Sequence, residues 1–324
     1  MSWKETGIKI TINDDLATAM EEANILFHVE VKQGYFKSGD SILHEANGYK
    51  YIVRTDTNAA LGQCKTKFVP LQNGEAFAFF QPLLNERVCS IDTIGCIDGG
   101  RKVWILAEIN GAMRYIAGSD RVAMYLLLVN AHDGSTQVMV GVVPIRVWCS
   151  NMFSMLNKGD FEIIKFKHTG DPAEKLKLLK TRIEETMGSV DEFVSQLQFL
   201  TKVWPTPEEL QEYFERVFKI KKDASTKSLN KIERLKVLFV QGTGNQAIEV
   251  RGTWYAALNA ITEYLNFEAG RNPETRLNSL WFGANKDINS KAIQIALEMC
   301  SIGEEKQEVS GEICTQERTS WQAS

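Results

Sequence analysis

Apolar and polar positions change rhythm midway along the chain, and the two rhythms divide it. Tyr125 to Val129 and Val138 to Val143 are apolar runs of strand length joined through Asp133-Gly134, a dipeptide suited to a tight hairpin turn, so they are expected to pair antiparallel. Pro144 cannot donate to a ladder and is expected where the second strand reaches an edge or a bulge, with Ile145 to Trp148 resuming the extended pattern. Ser150 or Asn151 then suits the start of a short helix through Leu156. Upstream, the pattern predicts a helix over Asp14 to Asn24 and a half-buried strand over Ile25 to Lys32. Tyr49 to Thr55, with Tyr49, Tyr51 and Val53 on one face, and Asn58 to Val69 read as further strands, and Glu75 to Leu84 as a helix. Cys89 to Ile109 reads as a second hairpin turning at Asp98-Gly99-Gly100-Arg101. Its return strand is too uniformly apolar to face water on either side.

After an alternating stretch at Phe161 to Lys167 the period becomes helical. Asp171-Pro172 is a cap followed by a first-turn proline, and Leu176, Leu179, Ile183, Met187, Val190, Val194 and Leu197 recur every three or four residues. Thr206-Pro207-Glu208-Glu209 has the form of a capping box. Leu210, Tyr213, Phe214, Val217 and Phe218 form the stripe of the helix it opens. Further helices are expected over residues 226 to 240, 252 to 267 and from about Ser290 to Ser301. The fold class is therefore α+β, an antiparallel, hairpin-rich sheet with packed helices followed by a helical half. The expected organisation is an N-terminal acidic helix and strand (1–44), a β-rich core (45–168), a helical region (169–302) and a polar, acid-leaning, disordered tail (303–324).

Four segments resemble, in order and separation, phage- and plasmid-associated proteins catalogued as a domain of unknown function. They are the Leu61-Gly62 strand, Asn130 to Ser135, Pro144 to Asn151, and Gly252 to Tyr264 with Trp281-Phe282-Gly283. The resemblance spans about residues 45 to 300 and implies a bacteriophage, prophage or plasmid setting in a bacterial host cell, with no established activity. After the tyrosine of the last motif it leads one to expect an acidic residue and a histidine, where this chain has Asn266-Phe267.

Composition narrows the function classes. No apolar run approaches the roughly 20 residues that cross a bilayer, and the acidic, interrupted N-terminus is unlike a secretory signal, so a cytoplasmic protein without a membrane partner is expected. Six scattered cysteines without a CxxC, and four histidines without an HExxH, point to reduced thiols and to neither metal nor other cofactor. His132-Asp133 with Ser135 is better explained by turn chemistry than by a triad, and Gly242-Thr243-Gly244 lacks the lysine of a phosphate loop. Of Trp104, Trp148, Trp254 and Trp281, at least three belong to the core by their apolar surroundings.

The net charge of -4 hides segregation. From Lys219 to Lys236 stand seven basic residues, Lys219, Lys221, Lys222, Lys227, Lys231, Arg234 and Lys236, against Asp223 and Glu233. Lys165, Lys167, His168, Lys175, Lys177, Lys180 and Arg182 form a second set. Arg146, in an apolar strand, must either pair internally or point into a groove. The expected function is non-catalytic binding of single-stranded DNA or another single-stranded nucleic acid in recombination or replication, by a homo-oligomer. The nucleic-acid contacts would be Arg146, Lys165, Lys167, Lys219, Lys221, Lys222, Lys227, Lys231 and Arg234. The alternative is an interaction protein that inhibits or modulates a host factor, for which the acidic ends are suited.

Overall fold

The computed structural model describes residues 2–11, 15–39, 41–134, 138–146, 164–166, 172–221 and 225–310. Strands β5 (Cys89–Ile97), β6 (Lys102–Ala117), β7 (Asp120–Ala131) and β8 (Val138–Arg146) form an antiparallel meander, because each connection is short enough for neighbours to pair directly. Strands β1 (Gly7–Lys9) and β9 (Ile164–Phe166) complete a six-stranded sheet in the order β1-β5-β6-β7-β8-β9. In β6 and β7 residues pointing to both faces are buried, as their unbroken apolar runs require: Leu106 lies opposite Leu127 and Ile105 opposite Leu128, all withdrawn from water. Pro144 stands opposite Met124 in the β7–β8 ladder, and among the described residues β9 flanks β8 only over Val138, Met139 and Val140.

A second, three-stranded sheet, β2 (Val29–Lys37), β3 (Leu43–Arg54) and β4 (Ala59–Lys65), is also an antiparallel meander. Strand β4 lies against the end of the β7–β8 hairpin. A side chain at Gly62 would strike the Asp133 backbone, and Arg101 Nε donates to Leu61 O, so the two sheets meet backbone to backbone.

The helical half is built round α8 (Trp254–Phe267), which buries Trp254 through Thr262 without a break and is therefore enclosed on all sides. Around it pack α5 (Pro172–Leu200), α7 (Thr226–Gln241), α9 (Pro273–Phe282) and α10 (Ala284–Ser310), while α6 (Pro207–Phe218) leans on α7 and α10. Helix α5 also crosses β6 and β8, and Trp104 of β6 meets Trp281 of α9 edge to face at 5.1 Å, so one core runs through both halves. The fold is α+β, with its helical half in the C-terminal part.

Several elements depart from the sequence expectation. The N-terminal helix α2 is shorter (Leu16–Glu22, capped by Asp15), and α1 (Ser2–Thr6) and β1 precede it, the latter joining the main sheet. The strand expected over Ile25 to Lys32 is shifted to Val29–Lys37. The helix expected over Glu75 to Leu84 is broken into α3 (Asn73–Phe77), a 3-10 turn (Ala78–Phe80) and α4 (Gln81–Asn85). Pro82 has no N–H to offer Ala78 O, and the Gln81 N–H takes that carbonyl in a tighter turn. Helix α9 was not expected, although Asn272 caps it and Pro273 opens it. Helix α10 begins before Ser290 and runs to Ser310, eight residues into the segment read as a tail. The short helix expected near Leu156 lies outside the described residues.

Candidate nucleic-acid interface

The basic segment of 219–236 sits where α6 ends and α7 begins. Helix α6 starts on the expected capping box: Thr206 Oγ1 accepts from Glu209 N, and Glu209 Oε2 accepts from Thr206 N. It stops at Lys219, which turns left-handed (φ 53°, ψ 43°), so that Ile220 N–H closes back on Glu215 O. For a residue other than glycine this turn costs roughly 1 kcal/mol. Helix α7 is then capped by Ser225, which accepts from Ser228 N.

This turn exposes Lys219, Lys221 and Lys227 to water, while Lys231 is half-buried with its ammonium 4.5 Å from the centre of the Phe218 ring. Burial lowers the Lys231 pKa, and the neighbouring charge of Lys227 pushes it the same way. Among the described residues none of these four lysines forms an ion pair. The first turn of α7 holds no acidic residue but does hold Lys227, a cation at the positive end of the helix dipole. Local stability is thus weakened in two ways at one corner, by the left-handed lysine and by the misplaced cation, and both leave the corner strongly positive.

Three other members of the basic sets are neutralised. Arg234 forks onto Glu268, its Nε 2.9 Å from Oε2 and its terminal nitrogen 2.6 Å from Oε1. Lys236 reaches Glu233 at 2.9 Å, and Lys180 reaches Glu86 at 2.7 Å. Lys165 stands in β9 opposite Met139; its side chain, Lys167 and Lys222 lie outside the described residues. A groove between α6 and α7 carries the opposite sign, lined by Glu208 and Glu212 beside Lys236 and by Glu215, one turn from the Lys219 corner.

Arg146 is not at a surface. It is almost fully buried, its Nε donates to Asp120 Oδ1 at 2.7 Å, and one terminal nitrogen donates to Gly244 O at 2.7 Å. Tyr255 donates its hydroxyl to Asp120 Oδ2 at 3.0 Å, and the guanidinium lies 5.2 Å from that ring. Of the two readings of Arg146 in the sequence, the internal pair is the one seen. The pair ties β7 and β8 to α8 and to the 3-10 turn Thr243–Asn245, which takes up the Gly242-Thr243-Gly244 stretch. That turn serves as a structural seat, with Thr243 N bonded to Glu263 Oε1.

The remaining constellations are internal as well. His132 is buried and 2.8 Å from Asn73 Oδ1; because Asn73 Nδ2 donates to Ile25 O, the histidine Nε2 carries the proton in that bond. Asp133 pairs with Lys102 at 2.8 Å, and Ser135 lies outside the described residues. Trp104, Trp254 and Trp281 are core residues, and Trp148 lies outside the described residues. Cys64, Cys89 and Cys96 are free thiols, and burial pushes Cys89 up to about 12. Among the described residues no group of three or more histidine, cysteine or acidic side chains could hold a metal ion, and no helix is long and apolar enough to cross a membrane.

Two contributors escaped the sequence reading. Phe218 reads as one more member of the α6 stripe, and only the sharp turn after it brings Lys231 over its ring. Glu268 stands 34 residues from Arg234, so no local pattern links them.

Compared with known families, residues 60–281 match the one described as "Domain of unknown function (DUF932)". The match runs from β4 to α9, taking in the α6–α7 corner and beginning after β2 and β3. Neither a curated protein nor a solved structure matches the chain.

Proposed function

Because this chain belongs to that family of unknown function, whose description carries no activity, we propose its function from its side chains: it binds single-stranded nucleic acid, without catalysis, through the lysines at the α6–α7 corner. The observation that carries this reading is the set of Lys219, Lys221, Lys227 and Lys231, without a carboxylate partner among the described residues, at a helix start that would be more stable with acids. Lysines held this way contact phosphates and read no base, so affinity would be sequence-tolerant and strongly salt-dependent. The bacteriophage or plasmid setting implied by the four motifs, with a role in recombination or replication, belongs to the same proposal.

Fluorescence anisotropy of a labelled single-stranded oligonucleotide tests it. Four phosphate contacts give a slope of about -3 in log K against log salt, at roughly -0.7 per contact. Replacing Lys227 and Lys231 by glutamine is expected to flatten that slope by about 1.4. Absence of binding at low salt overturns the proposal.

A further inference from the structure

We propose that the β2–β3 ribbon is a base-stacking surface for the same single-stranded polynucleotide, a second site that rests on the reading above and deepens it. The ribbon is unlike the rest of the molecule in what it shows to water. Tyr35, Phe36 and Tyr49 are each more than half exposed (59%, 57% and 53%), and Tyr51 is 36% exposed, although rings of this size normally find cover. Leu43 and Ile42 extend the same apolar tip.

The rings do not form an oily patch, because lysines are interleaved with them. Lys32 stands directly opposite Tyr51, and Lys65 directly opposite Tyr49, cross-strand pairs whose side chains share a face. Lys37, next to Phe36, and Lys50, between the two tyrosines of β3, point to the other face of the ribbon, as does Tyr35, whose cross-strand neighbour is Glu45. Lys32 has Glu30 only at 4.0 Å; among the described residues Lys37, Lys50 and Lys65 form no ion pair. Alternating rings and ammonium groups are what a single strand requires, since every base offers a face to stack and every nucleotide a phosphate to neutralise. A protein partner burying these rings would have to strip the lysines of water or pair them, so the charge favours the polyanion.

Two details show the rings are held in place. A side chain at Gly34 would collide with the Tyr51 ring, so the ring lies on bare backbone at the bulge between Gln33 and Tyr35. Phe36 stacks on His44 across the strands, 5.5 Å between centroids at 24°. A ring fixed in advance loses little freedom when a base stacks on it.

The test compares uncharged ring variants with the lysine variants of the α6–α7 corner, titrating full-length protein with labelled oligo-dT, oligo-U and a DNA duplex over a range of salt. Tyr49→Leu and Phe36→Leu keep apolar area and lose the stacking face; each is expected to weaken oligo-dT binding by about tenfold, leaving the salt slope and duplex affinity unchanged. Gly34→Ala, which displaces Tyr51 without removing it, is expected to weaken binding in the same direction. Oligo-U is expected to follow oligo-dT, because ring faces do not read the sugar; selective loss with one polymer identifies which of the two the ribbon takes. Parent-like affinity in all three ring variants overturns the ribbon and leaves the lysine corner standing. Loss in the ring variants with no effect of the lysine variants overturns the corner and leaves the ribbon. Ring variants that change only the molecular mass by light scattering identify the ribbon as a contact between copies and overturn this inference.

Discussion

Asp120 Oδ1 accepts from Arg146 Nε at 2.7 Å inside the protein, with the two side chains 3% and 1% exposed. A charge pair so placed stabilises little relative to an apolar pair of the same shape, but either member alone is costly. Arg146→Met strands the Asp120 carboxylate and takes the donor from Gly244 O, and is expected to cost about 3 to 5 kcal/mol in denaturant unfolding. Arg146→Lys cannot rebuild the fork and is expected to remain well below the parent. Adding Asp120→Asn to Arg146→Met should restore part of the loss, because no ion is then left unpaired. If Arg146→Met unfolds like the parent, the pair does not lock sheet to helix. Arg146→Lys, provided it folds, should keep the parent's salt slope with single-stranded nucleic acid, since Arg146 does not face water.

How legible this was in the sequence depends on the range of each signal. The β5–β6 and β7–β8 hairpins, the Thr206–Glu209 box and the stripe of α6 were readable because their partners lie within a few residues. The break at Pro82 also had a local cause, but the Phe77, Phe80 and Leu84 spacing masked it. Arg146 could not be resolved from its neighbours: Asp120 is 26 residues away and Gly244 is 98, and only the closed fold brings them together. The lysines of 219–231 were found by counting charge, yet counting could not separate them from Arg234, because Glu268 neutralises it from another helix. The exposure of the rings of β2 and β3 has no sequence signal for a different reason. Alternation of Tyr49, Tyr51 and Val53 shows only that they share a face, and nothing local reports that Tyr49 and Tyr51 stay exposed while Val53 is covered.

The Thr206–Glu209 box offers a direct check on the start of α6. Thr206→Ala leaves the Glu209 N–H without its acceptor and is expected to cost about 1 kcal/mol. Glu209→Ala should cost less, because the backbone N–H of Thr206 is only partly buried and water can replace the carboxylate. A double-mutant cycle by denaturant unfolding checks this, and additive losses would show that the two bonds are not coupled.

Glu108 gives a pH dependence with a defined sign. Burial raises its pKa; Asp92 adds to the rise, while the hydrogen bond from Tyr125 and the charge of Arg121 oppose it. The folded state therefore holds its proton to higher pH than the unfolded chain, whose glutamate titrates near about 4.3. Stability contributed by the protonated form is complete below that value and is lost as pH rises through the folded pKa. Glu108→Gln keeps an acceptor for Tyr125 and never ionises, so its melting temperature relative to the parent should rise between about pH 4 and about pH 8. A constant difference across that range would show that Glu108 does not titrate abnormally.

Arg234 and Glu268 allow the lysine corner to be strengthened instead of weakened. Arg234 stands one turn beyond Lys231 on the same helix face, where it would add to the positive corner were it not forked onto Glu268. Glu268 is the C-cap of α8, a position where a carboxylate opposes the helix dipole, so Glu268→Gln removes charge at small cost to the fold. The freed guanidinium is expected to tighten binding of single-stranded nucleic acid at low salt and steepen the slope in log K against log salt by about 0.7. Arg234→Gln, which removes a charge already neutralised, should leave both nearly unchanged. Anisotropy titrations of the two variants beside the parent decide the matter: the corner is not the phosphate contact if Glu268→Gln binds no more tightly while Arg234→Gln abolishes binding.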